Sequence, residues 1–269
     1  MNQQTQVVTK LARARELCDL LQVEVNAFLA TNPYSTYVEA DTNEPGTVLR
    51  LRAKSEPPER WGAIVGDIVH NLRSCLDVAV YQLVEFNSGN ADSDTAFPMS
   101  RSAATYQSNA DLKTKGIHPG ARDAIDQSKP YPGGNDDLYL LHELDIEDKH
   151  HLLLALAAGG DMGLAIGPPL GPRPDGSFLQ QIQRFSRAHS KHLFPLRDGS
   201  MLMRTDATIG DPHAMMEHFH FFPYIAMKPT KWELHEDLFV LLNRLGTCAQ
   251  EVVDALSPFF DTAREQTSV

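Results

Sequence analysis

Histidine, arginine and aspartate side chains recur along one predicted helix at spacings that suit acid–base chemistry. His70, Arg73 and Asp77 stand three and four residues apart, in a stripe that includes Ser74 and Tyr81. This spacing places all of them on one helix face. Such a set can position an anion, orient a water or relay a proton. The alternative is internal pairing, in which Arg73 and Asp77 form an i,i+4 ion pair.

A second polar run lies at residues 142–151. If its helix packs against the first one, its Asp148, Lys149 and His150 face the stripe at His70. Because buried polar groups must be paired, a closed structural network is the alternative to a site. The candidate site residues, to which we assign catalytic or binding roles, are His70, Arg73, Asp77, Asp148, Lys149 and His150.

The same run has one spacing that is typical of metal centres. Glu147 and His150 form the Glu-x-x-His pattern that carboxylate-bridged di-metal bundles use twice. Glu217-x-x-His220 has the same Glu-x-x-His pattern, but it lies in a predicted strand. In a strand, side chains three residues apart point to opposite faces. A di-metal centre is therefore not expected. A single metal held by histidine and carboxylate stays open. So does plain helix-surface charge, with Asp145 or Asp148 as an N-cap.

Arg187 and His192 form a third spacing with known chemistry. Their Arg-x4-His pattern weakly resembles the motif of HEPN-type ribonucleases, which are all-helical domains. The resemblance implies an arginine that stabilises charge on a phosphodiester and a histidine that moves a proton. Ala188 stands where that family usually has a polar residue, and Leu193-Phe194-Pro195 follows where the family helix would continue.

A longer stretch is similar to a group of uncharacterised bacterial proteins. It reads Gly66-Asp67-Ile68-Val69-His70-Asn71-Leu72-Arg73-Ser74-Cys75-Leu76-Asp77, and a later Asp148-Lys149-His150 accompanies it. The resemblance covers the two helices and implies a bacterial protein, but it carries no activity. It singles out these two polar stripes over the other polar positions in the chain.

The formal net charge of -11 over 269 residues is unevenly spread. Residues 136–148 carry acidic side chains and no lysine or arginine, whereas residues 173–204 are mostly basic. Broad duplex nucleic-acid binding needs many phosphate contacts, so the overall charge argues against it. A local basic patch still suits a small anionic ligand.

The three cysteines, Cys18, Cys75 and Cys248, are far apart and include no C-x-x-C pair, which indicates neither a disulfide framework nor a zinc finger. No run of 18 apolar residues is present, so no membrane span is expected. The first residues lack the basic and apolar regions of a signal peptide. We therefore expect a cytoplasmic protein.

Hydrophobic periodicity predicts an α+β fold: a bundle of three to five helices with an attached small antiparallel sheet. We expect one domain over residues 1–269, with a flexible loop or hinge at 159–177, where glycine and proline are frequent. The predicted helices are 3–30, 58–86, a short one near 119–128, 136–158, 178–188 and 231–256. The predicted β segments are a hairpin at 34–54, a hairpin at 193–205 and a strand at 217–227.

Three function classes follow from these patterns. The first is a binding module for a small anion or a metal at the His/Arg/Asp cluster. The second is a HEPN-like or toxin-like enzyme that acts on a phosphodiester. The third is a structural protein with a buried polar network. The sequence assigns no reaction, cofactor, metal content or oligomeric state.

Overall fold

The computed structural model describes residues 3–42, 46–151, 156–172, 178–185, 195–206, 219–227, 234 and 236–266. Helices and two small antiparallel sheets make up this part of the chain, which confirms the α+β class. The described helices are α1 (Gln3–Ala30), α2 (Arg60–Ser88), α3 (Ala103–Lys113), α4 (Pro119–Gln127), α5 (Asp136–His151) and α6 (Leu238–Gln266).

The strands form two three-stranded sheets rather than the one sheet predicted. The first has the order β1–β2–β5 and the second the order β4–β3–β6, and all the pairings are antiparallel. The strands are β1 (Tyr34–Ala40), β2 (Gly46–Ala53), β3 (Leu156–Pro172), β4 (Phe178–Phe185), β5 (Met201–Asp206) and β6 (Phe219–Met227). The predicted hairpin at 34–54 is confirmed as β1 and β2.

The described residues form two compact units. The first comprises residues 3–22, 60–151 and 239–266, and is helical. The second comprises residues 23–59 and the described part of 156–238, and contains both sheets. Whether these units act as one domain over 1–269 stays a prediction.

Helix α2 organises the core of the first unit. It begins after Pro57 and Pro58, because a proline donates no N–H and pushes the residue before it out of the helical region. It ends at Gly89, whose φ of 66° suits a helix C-terminus, and whose N–H donates to the Glu85 carbonyl at 2.8 Å. Its buried face includes Trp61, Val65, Ile68, Val69, Leu72, Leu76 and Leu83.

The second unit has its own apolar cluster. Tyr34, Leu51, Ala158 and Leu196 form its buried centre. Partly buried side chains pack around them, among them Phe28 and Phe221. Residues 195–200 turn before β5, and Gly199, with φ of 77°, donates to the Leu51 carbonyl at 2.9 Å. The predicted hairpin at 193–205 is wrong over its described part, because β5 pairs with β2 and residues 195–197 form no strand. The predicted turn at 197–200 is present, and residues 193–194 lie outside the described part.

Strand β3 corrects two predictions. Residues 156–158 were predicted to end a helix and 159–177 to form a loop or hinge, but Leu156–Pro172 is a strand. Aromatic rings of β6 explain why glycines occur there: a Cβ at Gly159 would lie 2.2 Å from the Tyr224 ring, and one at Gly160 2.2 Å from the Phe221 ring. Residues 173–177 lie outside the described part.

Strand β4 corrects a third prediction. The spacing of apolar residues at 178–188 predicts a helix, yet Phe178–Phe185 is a strand that pairs with β3 on both sides of a register shift. Residues 186–188 lie outside the described part. Helix α3 was missed, because residues 91–135 contain many loop-forming residues. Helices α1, α2 and α4 and strand β6 confirm their predictions to within about two residues at each end. The last helix, predicted over 231–256, is Leu238–Gln266 instead, so it starts later and continues ten residues further. Residues 231–233 and 235 lie outside the described part.

Candidate functional site

Helices α2 and α5 pack against each other within the first unit and run antiparallel. Gly66 lies beside Asp148, and one turn further along α2 His70 contacts Asp145. As the residue number rises on α2, it falls on α5. The predicted meeting of the two polar stripes is therefore present in the structure.

Gly66 is what allows the close approach of the two helices. A Cβ built at this position would lie 2.2 Å from Asp148 Oδ1 and 2.6 Å from its Cγ. Real side chains do not tolerate such distances, so a larger residue would push Asp148 or the whole of α5 away.

Gly66→Ala should therefore lower the free energy of unfolding by about 1–3 kcal/mol, the usual effect of overpacking. The matched control is Gly246→Ala in α6, where no atom outside the helix backbone and the adjacent residues lies within 4 Å of the new Cβ in the described structure. This control should raise stability by about 0.5–1 kcal/mol, because alanine favours the helix more than glycine does. Urea unfolding of the three proteins measures both changes. Equal effects of the two substitutions would contradict the packing argument.

A histidine and a buried carboxylate form the centre of the α2–α5 contact. His70 Nδ1 lies 3.0 Å from Asp145 Oδ1, and Lys149 Nζ lies 2.6 Å from Asp145 Oδ2. The Asp145 side chain is 5% exposed, whereas those of His70 and Lys149 are 45% and 48% exposed. We call His70 with Asp145 the His70 dyad.

The hydrogen bond of the His70 dyad has a defined direction. An ionised carboxylate only accepts hydrogen bonds. A hydrogen bond to Asp145 therefore places a proton on His70 Nδ1 and leaves Nε2 as the second ring nitrogen. A buried carboxylate that fixes the orientation of a half-exposed imidazole is the arrangement by which enzymes prepare a histidine for proton transfer.

Asp148 lies in the same group of charges. Burial raises the pKa of its carboxyl group, and the neighbouring Asp145 and Asp67 raise it further, while His70 and Lys149 act in the opposite direction. The predicted site residues His70, Asp148 and Lys149 are thus brought together. The backbone of His150 lies in α5, and its side chain lies outside the described part of the structure.

Arg73 and Asp77 belong to a separate, structural network. Arg73 Nη1 lies 2.6 Å from Asp77 Oδ1, as the internal-pairing alternative expects. The same pair holds the backbone of Phe97: Arg73 Nη2 donates to the Phe97 carbonyl at 3.2 Å, and the Phe97 N–H donates to Asp77 Oδ1 at 3.0 Å. Arg73 is 6% exposed and Phe97 is 1% exposed. These contacts tie the loop after α2 to the helix.

His142 is a further residue that the sequence reasoning did not select. Its Nδ1 is buried, and no hydrogen-bond partner for it occurs among the described residues. Burial, reinforced by the positive charge of Arg73, lowers the pKa of His142 to about 4. The side chain is therefore neutral at pH 7. The residue stands in the run 142–151, but its spacing to Arg73 across two helices cannot be read from the sequence.

Asp145 is the second residue whose role was missed, because the sequence suggested it only as an N-cap. It lies in the interior of α5 instead, and it anchors both His70 and Lys149. The i,i+4 spacing of Asp145 and Lys149 was the available signal.

Two other sequence patterns fall largely outside the described residues. Arg187 and His192, which carry the HEPN-like spacing, both lie there, as does Glu217. No group of three or more histidine, cysteine or acidic side chains in the described part is arranged to hold a metal ion. Within the same residues, no helix is long and apolar enough to cross a bilayer.

Comparison of the chain with protein-family models, with curated proteins and with solved structures gives no significant match. The geometry of α2 and α5 is therefore the basis for a function.

Proposed function

We propose that the α2–α5 face is a small-ligand site in which His70 exchanges a proton with the bound molecule. The observation that carries the proposal is the 3.0 Å contact between His70 Nδ1 and the buried Asp145 carboxylate. It orients a half-exposed imidazole whose Nε2 is the nitrogen left for a ligand. A histidine that only forms part of a solvated surface would not require a hydrogen bond to a carboxylate whose side chain is 5% exposed.

Two potential donors beside the dyad support an anionic ligand. Lys149 offers an ammonium group, and the His70 ring offers a second N–H whenever it carries both of its protons. The carboxyl groups of Asp145 and Asp148 lie in the same group, and burial is the largest cause that raises the pKa of Asp148. A ligand with a phosphate or carboxylate group would meet Lys149 and His70 together.

A phosphodiester-directed enzyme is the alternative form of this proposal. In that case His70 moves the proton, and Lys149 stabilises the charge that develops on the phosphodiester. Arg73 itself is engaged by Asp77 and the Phe97 carbonyl.

The proposal predicts a specific histidine tautomer and a specific anion response. In nitrogen-detected NMR of the full chain, neutral His70 should carry its proton on Nδ1, and Asp145→Leu should remove this preference. Inorganic phosphate should shift the His70 signals. Lys149→Met should weaken phosphate binding by about threefold, because exposed charge pairs contribute modestly. Lys115→Met, which removes an exposed lysine elsewhere in the same unit, should leave binding unchanged.

A dinucleotide separates the two forms of the proposal. Cleavage that is lost in His70→Gln would establish the phosphodiester enzyme, whereas phosphate binding without cleavage supports the binding module. If phosphate leaves the His70 signals unchanged and no cleavage occurs, the α2–α5 face is a structural network and the proposal is wrong.

A further inference from the structure

A groove lies between α1, α2 and α6 in the first unit, away from the charges of the His70 dyad. Its volume is about 530 Å³, within the range of small-molecule sites. Its floor is apolar and well packed. The floor residues are Leu11, Ala14, Ile68, Leu72 and Leu242, each at most 4% exposed.

Gly246 forms part of the groove wall, and nothing else in the described structure explains it. It lies in the interior of α6 without a positive φ, where glycine is unfavourable relative to alanine. At Gly66, by contrast, Asp148 occupies the space of a Cβ. At Gly246 that space is open and belongs to the groove. A glycine here keeps the wall open for a molecule that approaches the helix backbone.

The rim of the groove is polar and has an excess of negative charge. Its one arginine, Arg15, donates from Nη2 to Gln250 Oε1 at 2.7 Å, which joins α1 to α6. Gln250 in turn donates to Asp254 Oδ1 at 2.6 Å. Asp19 and Glu251 are exposed on the rim as well. The described residues of the rim thus carry three carboxylates and one guanidinium.

From these features we infer that the α1–α2–α6 groove binds a small molecule with an apolar body and a cationic amine. The apolar body lies on the leucine and isoleucine floor beside Gly246, where burial of apolar surface supplies the affinity. The amine lies at the carboxylate side of the rim, near Asp19 and Glu251. The excess of negative charge there disfavours an anionic head group on the same body.

Three probes with the same body test this inference on the full chain: phenylbutylamine, phenylbutanol and phenylbutyrate. Calorimetric titration should give the tightest binding for the amine, by about fivefold over the alcohol, and the weakest for the carboxylate. Cys18 lines the groove and is partly exposed, whereas Cys75 and Cys248 are buried. The amine should therefore slow alkylation of Cys18.

Two pairs of variants locate the binding. Gly246→Leu fills the groove and should weaken amine binding by about tenfold or more, whereas Ala255→Leu adds the same side chain at an exposed position of α6 outside the groove. Glu251→Gln should weaken amine binding by about threefold, while Asp123→Asn on α4 should not change it. Circular dichroism of each variant confirms that the fold is retained.

Several results would overturn the inference. They are the absence of binding by all three probes, equal binding of amine and carboxylate, or full binding by Gly246→Leu. Sedimentation of the wild type and Gly246→Leu tests the competing occupant, a second copy of the chain. A dimer that Gly246→Leu dissociates would show that the groove is an interface between copies.

Discussion

Arg73→Leu should lower the free energy of unfolding by about 2–4 kcal/mol. The substitution removes a guanidinium that is 6% exposed, together with its ion pair to Asp77 and its hydrogen bond to the Phe97 carbonyl. The Phe97 carbonyl would keep only the Met99 N–H, which it accepts at 2.9 Å. Hydrogen bonds to charged groups contribute about 1.5–3 kcal/mol each, and Arg73 makes two such contacts, one of them to an Asp77 side chain that is 38% exposed. Chemical denaturation measures the change directly.

Arg13→Leu provides the matched control for this prediction. Arg13 also pairs with a carboxylate on its own helix, Glu16, at 3.3 Å, but the two side chains are 56% and 66% exposed. An exposed pair contributes about 0–1 kcal/mol, so this variant should unfold almost like the wild type. If Arg13→Leu and Arg73→Leu destabilise the protein equally, burial of the Arg73 network is not what stabilises the loop at Phe97.

The same experiment separates the two polar networks on α2. If Arg73 acts structurally and His70 belongs to the ligand site, Arg73→Leu should leave the His70 tautomer unchanged at a temperature where the variant is folded. Loss of the Nδ1–H form in that variant would instead indicate one continuous network from Asp77 to Asp145.

Much of the helical unit could be predicted because its helices are long and periodic. The apolar residues of α1 and α2 recur every third or fourth position, and these are the residues that are buried. Proline at 57–58 and Gly89 mark the ends of α2 by local backbone chemistry. Such signals depend on neighbouring residues only, so the sequence contains them in full.

The sheets were harder to predict because they depend on distant partners. Gly159 and Gly160 resemble loop residues until the rings of Tyr224 and Phe221 are placed over them. The segment 178–185 has the apolar spacing of a helix, yet it is short, and pairing with β3 decides its conformation. Helix α3 had a local signal that was overlooked: the Ser102 hydroxyl accepts the N–H of Thr105, an N-cap.

The contacts within each helix of the candidate site could be predicted, whereas the contacts between the two helices could not. Each stripe lies on one helix face, and the i,i+4 pairs Arg73–Asp77 and Asp145–Lys149 follow from spacing alone. Which residues meet across the two helices depends on their antiparallel register. That register places His70 on Asp145 and Gly66 on Asp148, and it places His142 in the field of Arg73.

The stability of the protein should fall as the pH is lowered from about 6.5 to about 4, and His142 should be a main cause. Its folded-state pKa of about 4 lies below the ordinary value of 6.5. Between these two values the unfolded chain binds a proton at this position that the folded chain does not bind. The contribution of neutral His142 to the free energy of unfolding is therefore full above pH 6.5 and is lost progressively towards pH 4. A pKa that falls from 6.5 to about 4 corresponds to at most about 3.5 kcal/mol, since one pKa unit is about 1.4 kcal/mol.

His142→Phe should remove this dependence. Phenylalanine does not titrate, and it replaces the buried Nδ1, which has no partner among the described residues, with an apolar edge beside Tyr139. We expect the variant to be at least as stable as the wild type at pH 7 and markedly more stable than it at pH 4.5. Urea unfolding at a series of pH values measures both quantities.

His118→Asn is the control, because His118 stands at the N-cap of α4, where its Nδ1 accepts the Gly120 N–H at 3.1 Å. This variant should keep the acid-dependent loss of stability. Arg73→Leu should reduce that loss, because without the nearby positive charge the pKa of His142 rises towards its ordinary value. If wild type and His142→Phe instead lose stability in parallel between pH 6.5 and 4, other groups bind the protons, and His142 does not control the acid response.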